Sequence, residues 1–298
     1  MDMTAPGSRD AVTCRIVRWA ETRSDVRAVL LIGSRAAVGG APDAASDHDV
    51  VMYATDPAAL LGDPAWPEQL GPVLVQLPPR GQERAWGWPT RLVLFRDGSK
   101  IDFTVLPVSA LREATSAPRL PDQLDAGYRV LLDRDGLAAA LATPTGAAYR
   151  VRPPTQQEFG AVVEEFCWEA TYVARNLWRD ELLPARYSLE CVMKLELLRR
   201  MLEWWAGAEK GWSLRPGVWG RGLRAQLPEA TWARLEATFA GAGREEGWGA
   251  LLQTCALFRD VALQVAERLG LPYPREVDDG VMRYLGDLRR LPLRGGQE

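Results

Sequence analysis

Histidine and closely spaced cysteines are almost absent from this chain of 298 residues. His48 is the one histidine, and no two cysteines form a C-x-x-C pair, so a zinc site is not expected. The four cysteines lie far apart, at Cys14, Cys167, Cys191 and Cys255. Widely spaced thiols are typical of reducing compartments, where disulfides are rare. We therefore expect free, buried thiols in a cytoplasmic protein.

Long apolar runs and an excess of charge are absent as well. No segment approaches the roughly 18 apolar residues of a membrane span, and the first residues lack the apolar core of a signal peptide. The sequence therefore predicts a soluble protein that does not enter a membrane. The net charge is −3, with both halves nearly neutral, which gives no indication of a nucleic-acid-binding surface. Lysine is scarce, and we interpret the predominance of arginine as genomic composition.

The composition is otherwise that of an ordinary globular protein, with 47% apolar and 25% charged residues. A length of 298 residues fits two domains. Strand signals dominate the first half and fade near residues 147–155, where Arg152-Pro153-Pro154 forms a stiff, extended linker. The sequence predicts an α+β protein, with a small mixed sheet and few helices at residues 1–150 and a helical bundle at residues 151–298.

Apolar periodicity predicts the individual elements of both domains. In the first domain a helix at Asp10–Glu21 precedes six strands, which are expected at residues 26–32, 50–53, 73–77, 91–95, 100–106 and 128–132. Asp97-Gly98 predicts a hairpin between the fourth and fifth strands. In the second domain, five helices are expected at residues 156–181, 185–206, 228–239, 245–269 and 277–291. Thr155 and Glu158 have the spacing of a capping box.

The stretch from Leu30 to Tyr53 carries the strongest functional signal. It contains a strand that ends in Gly33-Ser34, then a loop, then Asp47-His48-Asp49 and a second apolar run. In an extended chain Asp47 and Asp49 point to one side and His48 to the other. Two carboxylates with no obvious cationic neighbour repel each other unless a divalent cation lies between them. The stretch therefore predicts a metal–nucleotide site, the alternative being an ordinary turn with loop-edge carboxylates.

A third carboxylate lies in the middle of the fifth predicted strand. Ile101, Phe103 and Val105 share one face of this strand, so Asp102 and Thr104 share the other. A carboxylate beside β-branched and aromatic residues has either a functional role or a place on the exposed face of an edge hairpin. Both possibilities are open at this point.

The motifs together resemble a known family. Glycine-serine followed by D-x-D and a lone later aspartate resembles the nucleotidyltransferase superfamily, whose sheet is similar to that of polymerase β. The closer resemblance is to the aminoglycoside 6-adenylyltransferases, which inactivate streptomycin, and it extends from about Arg27 to Leu285. Its segments are LIGSR at 31–35, SDHD at 46–49, LFRDGSKIDFTVLP at 94–107, YRVLLDRD at 128–135 and FCWEATYVARNLWRDE at 166–181. His48 is a departure, because the family more often has tyrosine there.

The resemblance implies a nucleotidyltransferase fold, ATP as co-substrate and Mg²⁺ as the metal. Asp47 and Asp49 would bind Mg²⁺, and Asp102 would be a further metal ligand or the base for the acceptor hydroxyl. That hydroxyl would attack the α-phosphorus of ATP and release pyrophosphate. The residues expected to hold the phosphates are Gly33, Ser34 and Arg35. Lys194 and Arg199 on the second C-terminal helix are further candidates for the triphosphate, the alternative being solvated helix charges.

The resemblance also implies that the helical domain binds the drug. Aromatic faces and carboxylates suit a polar, guanidinium-bearing sugar. The candidates on and after the first long helix are Trp168, Tyr172, Glu165, Glu169, Asp180 and Glu181, with Glu169 and Glu181 preferred. The alternatives are core packing for the two aromatic residues and a solvated face for each carboxylate.

Three functions are compatible with these observations. The first is a Mg-ATP-dependent adenylyltransferase acting on streptomycin, in a monomer with no nucleic-acid partner. The second is a nucleotidyltransferase with another hydroxyl acceptor, and the third is a nucleotide-binding regulatory module without transfer activity. A P-loop kinase is disfavoured because the Walker lysine motif is absent. A binding module has no need of all three aspartates, so their presence favours an enzyme.

Overall fold

A computed structural model describes residues 10–37, 39–40, 42–82 and 89–292. The chain divides between Ala148 and Tyr149 into two compact units. The first unit contains a six-stranded mixed sheet and the second is helical, which confirms the predicted α+β class. No helix in the described part of the chain is both long enough and apolar enough to cross a membrane.

The sheet of the first unit has the strand order β3-β4-β5-β2-β1-β6. The strands are β1 Val26–Ile32, β2 His48–Ala54, β3 Val73–Leu77, β4 Thr90–Phe95, β5 Lys100–Pro107 and β6 Arg129–Asp133. The two central strands β2 and β5 are parallel, and every other neighbouring pair is antiparallel. All six strands were predicted, and Gly98 at φ +83 closes the predicted hairpin between β4 and β5.

Helices cover both faces of the sheet. The helices of this unit are α1 Ala11–Glu21, α2 Pro57–Gly62, α3 Val108–Ser116 and α4 Asp122–Asp125. Ile16 of α1 packs with Val29 and Met52 in the core on one face. Leu111 of α3 belongs to the core on the opposite face. The sequence analysis did not predict α3 or α4, because each is short and contributes only two buried side chains.

The second unit is built from α-helices of 5 to 26 residues. They are α5 Gln156–Trp178, α6 Leu182–Arg186, α7 Arg199–Glu209, α8 Glu229–Ala237, α9 Arg244–Leu269 and α10 Arg275–Arg290. The predicted capping box of α5 is present, since Thr155 Oγ1 accepts from the Glu158 backbone N–H at 3.2 Å and Glu158 accepts from the Thr155 N–H at 2.8 Å.

The predicted end of α5 at Glu181 is wrong, because the helix stops at Trp178. Asp180 has a left-handed backbone with φ +60. The Glu181 N–H donates to the Asn176 carbonyl at 2.8 Å, and the Asp180 N–H donates to the Leu177 carbonyl at 3.2 Å. This pair of bonds is a Schellman motif, which usually has glycine at the left-handed position. Helical periodicity therefore does not extend to Asp180 and Glu181.

The second predicted helix also differs from expectation. Residues Tyr187–Leu198 are wound as a π-helix that joins α6 to α7. In an ordinary α-helix the apolar spacing of this segment would turn five residues inward, namely Leu189, Val192, Leu195, Leu198 and Leu202. Leu189, Leu198 and Leu202 are buried, but Leu195 is 44% exposed. The wider π-helical turn rotates successive side chains away from the positions that a 3.6-residue period assigns to them.

Candidate active site

Three carboxylates converge at one edge of the central strands. Asp47 directly precedes β2, Asp49 lies in β2, and Asp102 lies in β5. Parallel pairing places Asp49 directly beside Asp102, and strand alternation directs both to the same face. One oxygen from each of the three carboxylates lies within 4.8 Å of the others. The predicted acidic residues thus form one cluster.

Gly33 allows this cluster to form against the end of β1. Its backbone has φ +67, a value that residues with a side chain rarely adopt. A Cβ at this position would lie 1.9 Å from Asp49 Oδ2. The Asp49 carboxylate therefore packs directly against the Gly33 backbone, in space that a methyl group would fill. Ser34 follows in the same short turn, Gly33–Arg35, and is half-buried.

Lys100 is a member of the cluster that the sequence analysis missed. Its Nζ lies 2.9 Å from Asp47 Oδ2 and 3.3 Å from Asp102 Oδ2. The expectation that the carboxylates have no cationic neighbour is therefore wrong. The signal was available, because Lys100 precedes Asp102 by two residues in β5 and so points to the same face. Partial burial alone would lower the pKa of Lys100, but the hydrogen bond to Asp47 and the charges of Asp102 and Asp47 raise it above its ordinary value.

The cluster fits a divalent metal ion. Asp102 Oδ1 is buried, and it has no hydrogen-bond partner among the described residues. A buried carboxylate oxygen without a partner is costly, and coordination to a cation removes that cost. Hard cations such as Mg²⁺ prefer oxygen ligands, and all three side chains supply them. Asp47, Asp49 and Asp102 are therefore suitable to hold such an ion.

His48 points away from the carboxylates, as strand alternation predicts. It is buried, and its Nε2 lies 3.0 Å from Asp10 Oδ2. Asp10 also accepts from the Thr13 N–H at 2.7 Å and thereby caps α1. Burial lowers the pKa of His48 below its ordinary value, although the hydrogen bond and charge of Asp10 act in the opposite direction. The imidazole thus connects β2 to the N-cap residue of α1.

Arg35 holds the loop that leads into β2. Its Nε donates to the Asp47 carbonyl at 3.0 Å and its Nη2 donates to the Ser46 carbonyl at 2.7 Å. Its Nη1 lies 3.6 Å from Asp10 Oδ2. These contacts give Arg35 a positioning role for the backbone that carries Asp47, a role that sequence spacing did not indicate.

In the helical unit, the aromatic candidates form an exposed pair. Trp168 is 62% exposed and Tyr172 is 40% exposed, and their rings meet edge to face at 5.9 Å. The alternative of core packing is therefore wrong for both residues. Glu165 is exposed and Glu169 is half-buried. Because these four residues follow one another at intervals of three, one and three positions, they occupy one side of α5, which we call the α5 face.

The other two acidic candidates lie beyond the end of α5. Asp180 and Glu181 line a small crevice of about 30 Å³. The remaining lining residues are Leu177, Leu182, Ala242 and Arg244. The guanidinium of Arg244 in this crevice reduces the negative potential of the two carboxylates.

Lys194 is buried inside the helical unit. Its Nζ donates to Glu190 Oε2 at 2.8 Å and to the Thr238 carbonyl at 2.6 Å, and it lies 4.3 Å from the centre of the Phe239 ring. Burial lowers the pKa of Lys194, while the hydrogen bond to Glu190 opposes that change. The alternative of a solvated helix charge is wrong for Lys194. Its contacts are those of an internal ion pair.

Comparisons with known proteins identify relatives over most of the chain. The family model described as streptomycin adenylyltransferase matches residues 8–288. An aminoglycoside 6-adenylyltransferase of Bacillus subtilis (strain 168) is 32% identical over 263 residues, which cover 87% of this chain and 90% of that protein. An aminoglycoside 6-adenylyltransferase of Campylobacter jejuni is 30% identical over 276 residues, which cover 91% and 92%.

A solved structure is also similar. The crystal structure of an aminoglycoside 6-adenyltransferase from Bacillus subtilis has 25% sequence identity and a TM-score of 0.47, and the match covers 96% of this chain and 100% of that one.

Proposed function

Because the chain belongs to the streptomycin adenylyltransferase family, we propose that it transfers AMP from Mg-ATP to a hydroxyl group of streptomycin. The chain is an aminoglycoside nucleotidyltransferase, as its curated relatives are aminoglycoside 6-adenylyltransferases. The observation that carries the proposal is the convergence of Asp47, Asp49 and Asp102, with Asp49 packed against the Gly33 backbone. Family membership and this cluster favour group transfer over a nucleotide-binding module without activity.

The three aspartates would hold Mg²⁺ beside the nucleotide. A bound ion would supply positive charge that offsets the negative charge developing on the phosphate oxygens during transfer. We take Asp102 as a metal ligand and not as the base, because its buried, unpartnered Oδ1 would gain a partner by coordinating a cation. Removing this carboxylate by Asp102→Asn should therefore weaken Mg-nucleotide affinity as well as turnover.

The transfer is a displacement at the α-phosphorus of ATP. The acceptor oxygen forms a bond to the α-phosphorus, and the bond from that phosphorus to the bridging oxygen of the β-phosphate breaks. Pyrophosphate leaves with the bonding electrons, and the hydroxyl proton passes to solvent. The chain's part is to orient the triphosphate, for which the Ser34 hydroxyl and the backbone around Gly33 are suited.

The α5 face would bind the cationic drug. The exposed rings of Trp168 and Tyr172 offer flat surfaces to guanidinium groups, and Glu165 and Glu169 offer carboxylate acceptors. An exposed aromatic pair among carboxylates has no role in packing the helical core. Its chemistry complements a polycationic sugar, which supports streptomycin as the acceptor.

The test is pyrophosphate release from ATP and Mg²⁺, with and without streptomycin. We expect release that depends on the drug and falls by several orders of magnitude in Asp47→Asn and Asp49→Asn. Asp122→Asn is the matched control, because Asp122 is an exposed aspartate at the start of α4 whose partner is Arg119. Near-normal turnover in either cluster variant would contradict the metal assignment. Release with another aminoglycoside but not with streptomycin would contradict the acceptor assignment alone.

A further inference from the structure

Lys100 is chemically unusual in this protein. The sequence contains 36 basic residues, and Lys100, Lys194 and Lys210 are the three that are lysine. Lys100 lies between two of the three clustered carboxylates, at 2.9 Å from Asp47 and 3.3 Å from Asp102. Its side chain is 49% exposed, so the ammonium reaches the carboxylates from the solvent side.

The difference between lysine and arginine matters at this position. Arginine has a planar fork that binds carboxylates with two fixed hydrogen bonds, whereas lysine has a compact charge on a flexible stem. An ammonium group can therefore leave a pair of carboxylates by rotation of its stem. It also places a single positive charge on carboxylate oxygens of Asp47 and Asp102, two of the residues proposed to bind the metal.

We propose that Lys100 is an internal cation that holds the carboxylate cluster together until a metal ion arrives and displaces it. The inference rests on the proposed function, because it takes Asp47, Asp49 and Asp102 as metal ligands. In the metal-free enzyme the ammonium offsets the repulsion between the carboxylates. When metal and nucleotide enter together, the ammonium moves toward solvent, where the triphosphate is an alternative anionic partner.

This arrangement makes metal binding depend on the nucleotide. A metal ion alone has to displace Lys100 without compensation, so the free enzyme binds it weakly. A metal ion that enters with ATP brings phosphate oxygens to which the displaced ammonium can donate. Lys100 thus couples the binding of the metal ion to the binding of ATP.

The experiment is a titration with Mn²⁺, followed by electron paramagnetic resonance of the free ion, in the absence of nucleotide. We expect Lys100→Met to bind Mn²⁺ about tenfold more tightly than the unmodified protein, because a unit charge about 3 Å from the ligands is removed. Lys100→Arg retains a charge at the carboxylates and should bind no more tightly than the unmodified protein. Lys210→Met is the matched control, since it removes an exposed lysine that donates to Gln226 in the helical unit.

A second titration with a non-hydrolysable ATP analogue tests the coupling, once the Mn²⁺ that the analogue binds in the absence of protein has been subtracted. The factor by which the analogue increases Mn²⁺ affinity should be several-fold smaller in Lys100→Met than in the unmodified protein. Equal or weaker binding of Mn²⁺ alone by Lys100→Met, with unchanged circular dichroism, would overturn the inference. Failure of the unmodified protein to bind Mn²⁺ even with the analogue would overturn the proposed metal site itself.

Discussion

At Gly33 the absence of a single methyl group determines whether the acidic cluster can form. We expect Gly33→Ala to reduce turnover at least 100-fold, because the new Cβ would lie 1.9 Å from Asp49 Oδ2 and displace that carboxylate. Gly39→Ala is the matched control. Gly39 also has a positive φ, +73, but among the described residues no atom beyond its chain neighbours lies within 4 Å of a Cβ added there.

Both variants carry the backbone cost of a left-handed alanine, about 1 kcal/mol of stability each. Chemical denaturation measures this shared loss, and steady-state kinetics measures the loss specific to Gly33. Equal turnover in the two variants would show that the position of Asp49 against Gly33 is irrelevant to catalysis.

Because His48 is buried, we expect the stability of the protein to decrease at acidic pH. Burial lowers the pKa of the folded imidazole, whereas the unfolded chain has an ordinary value of about 6.5. Between these two values the unfolded state binds more protons, so the free energy of unfolding decreases as the pH falls below about 6.5. His48 is the one histidine in the chain, so we expect this slope to be absent in His48→Tyr.

The measurement is urea denaturation of both proteins between pH 7.5 and 5.5. Because His48 faces α1 and not the carboxylates, kcat of His48→Tyr should stay within a few-fold. Loss of a limb near pH 6.5 in the pH–rate profile of the variant would show that the imidazole takes part in the chemistry.

Sequence reasoning found the carboxylates of the cluster but not its other contacts. D-x-D and a mid-strand Asp102 are visible because strand alternation has a fixed period of two. The contacts that Arg35 and Lys100 make were missed for different reasons. The hydrogen bonds of Arg35 go to backbone carbonyls, which have no sequence signature. The contact between Lys100 and Asp47 depends on the parallel pairing of β2 with β5, and the sequence of one strand does not show which strand lies beside it.

Among the elements, the end of α5 is the clearest case of local structure overriding periodicity. Asp180 occupies the left-handed position of a Schellman motif, where glycine is usually favoured. We expect Asp180→Gly to stabilise the protein by about 0.5–1 kcal/mol, because glycine adopts this backbone at lower cost. If the Asp180 carboxylate contacts streptomycin, the same variant should raise KM for the drug.

Asp180→Ala separates the two effects. It removes the carboxylate and retains the Cβ, so it should raise KM equally without the gain in stability. Thermal denaturation and steady-state kinetics of both variants provide the measurements. If Asp180→Gly is less stable than the unmodified protein, the left-handed backbone of Asp180 is not strained. If KM for streptomycin is unchanged in both variants, Asp180 does not belong to the acceptor site.

The π-helical segment Tyr187–Leu198 shows a second limit at the level of elements. Its apolar residues fit an ordinary helix, so the sequence predicts one continuous helix through this region. The buried ion pair of Lys194 with Glu190 lies within this segment, and the Lys194 ammonium also bonds the Thr238 carbonyl. A change in backbone hydrogen bonding from the i→i+4 pattern of an α-helix to the i→i+5 pattern of a π-helix depends on such tertiary contacts. The apolar pattern of the sequence does not encode them.

For the whole molecule, composition and periodicity were sufficient to predict a mixed sheet followed by helices. Six strands and the long helices emerged because their apolar patterns are regular over many residues. The acidic cluster lies in the first unit and the α5 face in the second, so the proposed chemistry divides between the two units. Metal and nucleotide binding should therefore respond to changes in the first unit, and acceptor binding to changes in the second.

This division gives a prediction for the acceptor carboxylates. Charge-assisted hydrogen bonds contribute about 1.5–3 kcal/mol, so losing one should raise KM for streptomycin about 10- to 150-fold. KM for ATP should change little. The variants are Glu165→Ala, Glu169→Ala, Asp180→Ala and Glu181→Ala, with the largest effect expected for Glu169, which is half-buried beside Trp168 and Tyr172. Glu267→Ala is the control, because Glu267 is an exposed carboxylate on α9.

The scan is made at saturating Mg-ATP, so that KM for streptomycin reports on the acceptor alone. Trp168→Ala adds an independent test of the α5 face, because its 62% exposed ring can be removed without opening a cavity in the core. An increase for the Glu169 and Trp168 variants together would place the drug on this face. If none of the four carboxylates changes KM by more than about threefold, less than 1 kcal/mol, the drug binds elsewhere. The exposed Trp219, which follows α7 and is 69% exposed, is then the next aromatic residue to test.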